Sequence, residues 1–167
     1  MHMIIRPEHP QDFKEIRTLV TSAFKGAPHS AGTEGAIVDS LRKGNALTVS
    51  LVAVQDGEIV GHVAFSPVKI EGTGENWYGL GPVAVHPNQQ RKGIGSKLIE
   101  AGLEQIKSLS AAGCVVLGDP LYYSRFGFKV DASLSFPDVP AEYFQCLDFV
   151  ISQRQGVVIY HEAFYGA

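Results

Sequence analysis

The chain has 167 residues, 45% apolar and 19% charged, and 14 Lys plus Arg stand against 17 Asp plus Glu for a formal charge of −3. That length and balance suit one hydrophobic core, so residues 1–167 are read as a single domain, and intrinsic disorder is excluded. The absence of a basic run excludes a protein that neutralises many nucleic-acid phosphates, and with no secretory layout at Met1 to Pro7 and no window long enough to span a bilayer, a soluble cytoplasmic protein with no membrane partner is expected.

In chain order, Met3 to Arg6 reads as a short strand, and Pro7 to Pro10 break it before Phe13, Ile16, Leu19, Val20, Ala23 and Phe24 recur at helical spacing. A polar stretch with Gly26, Pro28, His29, Ser30 and Gly32 follows, placed as a lid over a site. Ile37, Val38 and Leu41 then mark a second helix ending near Gly44. Thr48 to Gln55 and Glu58 to Ile70 are β-rich runs joined by Asp56-Gly57, a hairpin signal. Glu71 to Asn76 turns the chain into a further strand, Trp77 to Val85. Pro82 inside it has no N–H for the ladder, so the strand is expected to bulge or part from a neighbour there.

Beyond His86-Pro87 comes a polar loop, and Ile94, Leu98, Ile99, Leu103 and Ile106 trace one face of a long helix. Val115 to Leu117 is a short buried strand, Tyr122 to Phe126 a brief helix, Phe128 to Val130 a strand and Val157 to Phe164 the last one. Cys114 and Cys146 lack the paired spacing of zinc ligands and are read as reduced thiols. No histidine pair has ligand spacing, so no metal is expected.

The stretch richest in chemistry is Val83-Ala84-Val85-His86-Pro87-Asn88-Gln89-Gln90-Arg91-Lys92-Gly93-Ile94-Gly95-Ser96, which joins a strand to a helix start through a basic, glycine-containing loop. Free N–H groups of a helix's first turn and the helix dipole attract phosphate, and glycines allow close backbone approach. A dinucleotide fingerprint fails because Leu98 stands where a third glycine belongs and the preceding elements are hairpins. A Walker loop fails because Ser96 separates Gly95 from Lys97. A plain loop with two turn glycines is the competing reading of the pattern alone.

Gln90-Arg91-Lys92-Gly93-Ile94-Gly95 resembles the Gln/Arg-x-x-Gly-x-Gly/Ala signature of the GNAT N-acetyltransferases, and the element order resembles that family over essentially the whole chain. Tyr122-Tyr123-Ser124-Arg125-Phe126-Gly127-Phe128 resembles its second element, an aromatic-Tyr-x-x-x-Gly-Phe run. The resemblance implies an α/β domain with a mixed, mainly antiparallel sheet of six to seven strands, flanked by helices and splayed between the fourth and fifth strands. It implies acetyl-CoA as cosubstrate, with Val83, Ala84 and Val85 along pantetheine and Gln90, Arg91, Lys92, Gly93, Ile94, Gly95 and Ser96 around the pyrophosphate. Val83 N–H would donate to the thioester oxygen, and Tyr123 would protonate the departing thiolate, with Tyr122 a packing residue.

Where some family members carry a glutamate on the fourth strand, this chain has Gly79. The base is therefore left to Glu34, Asp119 or water, although Glu34 also suits a helix N-terminus and Asp119 a turn. His62 and His86 are set aside, one for an undetermined strand face and the other for its exposed setting. The expected reaction is direct transfer of acetyl to an amine, a small molecule by default. A non-catalytic acyl-CoA sensor and a longer-chain acyltransferase are the alternatives, and peptide acceptors and homodimerisation stay open.

Overall fold

In the computed structural model, residues 3–27, 32–137 and 139–165 are described, so residues 28–31 of the expected lid lie outside the description. β1 (Met3–Pro7) leads into α1 (Phe13–Phe24) and α2 (Glu34–Lys43), followed by β2 (Val49–Gln55), β3 (Glu58–Ile70) and β4 (Trp77–Val85). Then come α3 (Ile94–Ser108), β5 (Gly113–Leu117), the four-residue α4 (Pro120–Tyr123), β6 (Leu134–Ser135), β7 (Phe144–Asp148) and β8 (Gly156–Ile159). The main sheet runs β1-β2-β3-β4-β5-β7, antiparallel except for the parallel β4–β5 pair. β8 pairs with β3 at Lys69 and Ile70, alongside the stretch where β2 has already ended.

α3 lays the predicted stripe of Ile94, Leu98, Ile99, Leu103 and Ile106 on one face of the sheet, against Val63, Phe65, Tyr78, Leu80, Cys114 and Val116. Each such buried side chain contributes about 1.5–3 kcal/mol before ordering costs. α1 and α2 cover part of the opposite face through Ile16, Leu19, Val20 and Val38 over Val52, Ile59 and Ala84. The rest of that face is closed by Val158 and Tyr160, packed with Val68, Trp77, Val115 and Phe144.

The C-terminal third departs from expectation. Phe128 to Val130 is no strand: Lys129 makes only an isolated bridge to Cys146. The partner of β5 is β7, whose Phe-Gln-Cys-Leu-Asp sequence alternates too weakly to announce itself. The last strand stops at Ile159, and Glu162–Phe164 is a 3-10 turn. The connection between β7 and β8 is tied down by Arg154, which bonds Asp148 at 2.7 Å, Asp131 at 2.8 Å and Ser133 Oγ at 2.6 Å.

Candidate active site

β4 begins as an interior strand and ends with one side open. Its parallel register with β5 runs Trp77↔Gly113, Tyr78↔Cys114, Gly79↔Val115 and Leu80↔Val116, and goes no further. On the other side, Val63 pairs with Val83 and Phe65 with Leu80, so Gly81 and Pro82 together bulge opposite Ala64. Gly81 has φ +136°, a backbone region open essentially to glycine, and the Gly81–Pro82 peptide bond is cis. Past this bulge β4 stays with β3 and diverges from β5, as Pro82 suggested.

The geometry also says which β4 groups face the opening. His86 N donates to Val60 O at 2.8 Å. Antiparallel pairing alternates, so Ala84 shares the side of His86, while the N–H and C=O groups of Val83 and Val85 are directed away from β3. Val85 O is taken by the side chain of Gln90, whose Nε2 donates to it at 3.1 Å. Gln90 thus braces the loop against the strand.

That loop is held from within. His86 Nδ1 accepts from Asn88 N at 3.1 Å, Gln89 N donates to His86 O at 2.8 Å, and Lys92 Nζ reaches Gln89 Oε1 at 3.3 Å. Arg91 (φ +67°) and Gly93 (φ +83°) are both left-handed, which turns the chain sharply into α3. No side chain caps α3, so the N–H groups of its first turn are left for an anion. A Cβ on Gly95 would lie 3.5 Å from Tyr122 Oη and 3.6 Å from Val85 Cγ2, so Gly95 is wedged between α4 and β4.

Tyr122 and Tyr123 diverge in role. Tyr122 Oη lies 3.1 Å from Ser96 Oγ in the first turn of α3, and its ring is covered by the Arg125 guanidinium at 4.3 Å. Its hydroxyl is therefore directed at the first turn of α3, a contact that the packing reading of Tyr122 did not include. Tyr123 packs edge-on to Tyr122 and Phe128 and lies so close over Gly118 that a Cβ there would be 2.4 Å from its ring. Gly118 directly follows β5, so Tyr123 stands where the β4–β5 opening begins. Burial, seconded by Tyr122 and Cys114, pushes its phenol up to about 12.

The acid–base candidates separate as well. Asp119 Oδ1 accepts from Leu121 N at 2.9 Å and caps α4. Glu34 opens α2, next to the undescribed residues 28–31. His62 is fully buried on the α1 face, with Val52 and Ala84 as cross-strand neighbours. Ser50 Oγ donates to Glu8 Oε1 at 2.6 Å and lies 2.8 Å from His62 Nε2, and since a hydroxyl carries one proton, His62 Nε2–H must donate to Ser50. Glu8 is gripped by two of the three Arg42 nitrogens, Nη2 at 2.8 Å and Nε at 3.0 Å. Burial pushes His62 down to about 4, against the attraction of Glu8, so the ring is neutral and joins β1, α2, β2 and β3. Gly79 lies under the ring of Tyr160: a Cβ on it would be 2.7 Å from Tyr160 Cε2. Asp131, Cys146 and Asp148 bring ligand-type atoms within 4.8 Å of one another, but the Arg154 guanidinium already contacts all three.

A family model described as an acetyltransferase (GNAT) domain matches residues 47–130. The uncharacterized N-acetyltransferase YhbS of Escherichia coli K12 is 34% identical, covering 97% of this chain and 98% of YhbS. A crystal structure of a GNAT family acetyltransferase from Brucella melitensis in complex with acetyl-CoA is 52% identical, with a TM-score of 0.88 and 98% of both chains covered. The crystal structure of E. coli YhbS in complex with CoA superposes with a TM-score of 0.90 at 34% identity, covering 99% of this chain and 93% of the other. Among the described residues no helix is long and apolar enough to cross a membrane. The parted β4–β5 pair, the uncapped α3 and these relatives agree: the chain belongs to the GNAT family and is an acetyl-CoA-dependent acetyltransferase.

Proposed function

We propose that residues 1–167 act as one cytoplasmic acetyltransferase domain that moves the acetyl group of acetyl-CoA to a primary amine, in a small molecule rather than a protein, by direct attack. The observation that carries this reading is the parting of β4 from β5 at Leu80, immediately upstream of an uncapped helix N-terminus. The residues suit CoA: Val83 and Val85 offer outward-facing amide groups for pantetheine, and the N–H groups from Arg91 to Ser96, with Gly93 and Gly95, suit the pyrophosphate. On the opposite side of β4, the ring of Tyr160 roofs the strand, which suits a small amine better than an extended polypeptide.

Bound acetyl-CoA supplies an activated thioester, whose C–S bond breaks as the acceptor nitrogen forms the new C–N bond. Val83 N–H donates to the carbonyl oxygen as negative charge gathers there. Tyr123 donates to the departing sulfur, and the proton that the nitrogen gives up balances the one that sulfur gains. Neither Asp119, which caps α4, nor neutral His62 in its own network is assigned as the base; water relays the nitrogen's proton, restoring the one that Tyr123 gives to sulfur.

The test is amine-dependent thiol release from acetyl-CoA by the purified protein over a panel of small amines and peptides. Saturable CoA binding without release would favour the sensor reading, which draws its support from Gly79, the strand position that has no carboxylate.

A further inference from the structure

Where β4 parts from β5, one backbone group loses its ladder partner, and the register identifies it. Gly118 N donates to Tyr143 O at 2.9 Å, and the buried Gln145 donates through Nε2 to Gly118 O at 3.1 Å. Both backbone groups of Gly118 are thus taken by β7. Successive residues of a strand direct these groups to opposite sides, so those of Leu117 point toward β4. In a parallel pair, a residue donates to the residue before its partner and accepts from the residue after it. Leu80↔Val116 is the last β4–β5 pair, so Leu117, opposite Gly81, donates to Leu80 O, and its own C=O would take the N–H of residue 82. Residue 82 is proline, which has no N–H. The ladder stops there, and Leu117 C=O stands at the apex of the β4–β5 opening with no donor from either neighbouring strand.

What can reach this carbonyl follows from its surroundings. Pantetheine laid along Val85 and Val83 runs from the α3 turn toward the apex, and Leu117 C=O lies one β4 residue beyond Val83, past the reacting end. A thioester carries no hydrogen-bond donor, and the nearest N–H of CoA is the cysteamine amide, two carbons back from sulfur toward Val85. Once acetyl-CoA fills the apex and expels water, the carbonyl is left unpaired unless another molecule brings a donor, and an enclosed unpaired acceptor is costly. A Cβ on Gly118 would point at the Tyr123 ring, so the Leu117 side chain, 37% exposed, lies on the opposite face of the sheet and gives the carbonyl an apolar rim there.

We propose that Leu117 C=O, held in place through Gly118 and Gln145, accepts an N–H bond from the acceptor's nitrogen as it attacks the thioester. This rests on the amine-acceptor reading above. A neutral primary amine carries two hydrogens on nitrogen. As its lone pair forms the C–N bond and the C–S pair leaves on sulfur, one hydrogen departs as a proton through water to restore Tyr123, whose own proton goes to sulfur. The other stays on the product amide. A backbone carbonyl accepts a hydrogen bond but does not carry a proton away, so it suits the hydrogen that stays. The apex therefore selects primary over secondary amines, which have no second hydrogen to leave on the carbonyl.

Selective labelling reads this carbonyl directly. Leucine carrying 13C at its carbonyl, combined with 15N-glycine, marks only the Leu80–Gly81 and Leu117–Gly118 peptide bonds, the two Leu-Gly pairs of the sequence. A hydrogen bond moves a carbonyl 13C signal downfield, and Leu80 serves as the internal reference. Hydroxylamine is the probe, being small, nucleophilic and largely unprotonated at neutral pH, and its acetylation is followed as enzyme-dependent CoA release from acetyl-CoA. CoA alone should not move the Leu117 signal downfield, and hydroxylamine added to the CoA complex should. N-methylhydroxylamine, with one hydrogen on nitrogen, should show a kcat/KM lower by roughly tenfold or more, the cost of leaving the carbonyl unpaired. A downfield move with CoA alone that hydroxylamine does not extend assigns the carbonyl to pantetheine and overturns the inference. An unmoved signal at hydroxylamine concentrations that saturate turnover, or equal kcat/KM for the two probes, overturns it as well, while acetyl transfer to amines stands. No enzyme-dependent release with hydroxylamine or any amine of the panel overturns both this inference and the amine-acceptor reading.

Discussion

Gly93 and Gly95 stand two residues apart in the same signature, yet the structure assigns them opposite physical reasons, and substitution at each separates the two. Gly93 is left-handed at φ +83° with open space around its missing Cβ, so Gly93→Ala meets no clash but forces an L-residue into an unfavourable backbone region. That costs about 1–2 kcal/mol, a fall of roughly 2–8 °C in melting temperature for a chain of this size. Gly95 lies in the first turn of α3, where the new methyl meets Tyr122 Oη at 3.5 Å and Val85 Cγ2 at 3.6 Å, both ordinary contacts. Gly95→Ala should leave the fold as stable or stiffen it by up to about 1 kcal/mol through helix propensity. Alanine also fits the signature at this position, so a methyl is compatible with the pyrophosphate, whereas the branched side chain of Gly95→Val would crowd the first-turn amides; losing one charge-assisted bond of about 1.5–3 kcal/mol would weaken CoA binding roughly 10- to 150-fold. Melting curves and calorimetry with CoA read the two effects separately. A folded Gly95→Val protein that binds CoA as the parent does would refute the assignment of this turn to the pyrophosphate.

Three further outcomes are expected. Tyr122→Phe should weaken CoA binding severalfold by calorimetry, since its hydroxyl touches Ser96 Oγ in the turn proposed to hold the pyrophosphate; equal affinity would return Tyr122 to a packing role. Tyr123→Phe should lower kcat by roughly ten- to a thousandfold where chemistry limits turnover, with CoA affinity little changed, and equal single-turnover rates would remove it from the mechanism. His62, pushed down to about 4 by burial, binds a proton more readily unfolded than folded, so the stability it confers is complete above about pH 6.5 and is lost as pH falls toward about 4, a span worth about 3 kcal/mol. Denaturant midpoints between pH 7 and 4 should show this slope, and a folded His62→Gln with the same slope would contradict the assignment.

The first two-thirds of the fold were legible because periodicity and turn chemistry agreed: the α3 stripe, the Asp56-Gly57 hairpin and the break at Pro82 each have one physical reading. The C-terminal third was not, because β6 and β7 are short and are specified by tertiary pairing, and the Arg154 cluster that fixes their connection joins residues 131, 133, 146 and 148 that are scattered in sequence. Around the candidate site, the turn into α3 and the short helix carrying Tyr123 could be placed from local pattern. Gln90 on Val85 O, Tyr122 on Ser96 and Tyr160 over Gly79 could not, since each depends on which side of a strand or short helix a side chain takes. Gly79 read in the sequence as a missing carboxylate; in the structure it is the space that Tyr160 fills.

The proton inventory narrows what Tyr123 does. A thiol titrates near 8.5, whereas burial holds the Tyr123 phenol at about 12. Handing its proton outright to the leaving thiolate would thus be uphill by about 5 kcal/mol, which makes the phenol a poor free-standing acid. In the proposed transfer a hydrogen bond from Tyr123 would still stabilise the charge developing on sulfur, and proton transfer would become favourable if the phenol oxygen were reprotonated as the C–S bond breaks. The nitrogen that has just formed the new bond is the natural source, because once acylated it is far more acidic than the amine was. On this account water needs only to link the nitrogen to the phenol, and the absence of a carboxylate at Gly79 removes an acceptor that would otherwise intercept that proton. Tyr123→Phe should then impair release of the thiol and loss of the nitrogen's proton together, so the solvent deuterium isotope effect on the single-turnover rate should shrink in the variant. An isotope effect equal in parent and variant would mean that the phenol lies outside the proton's path.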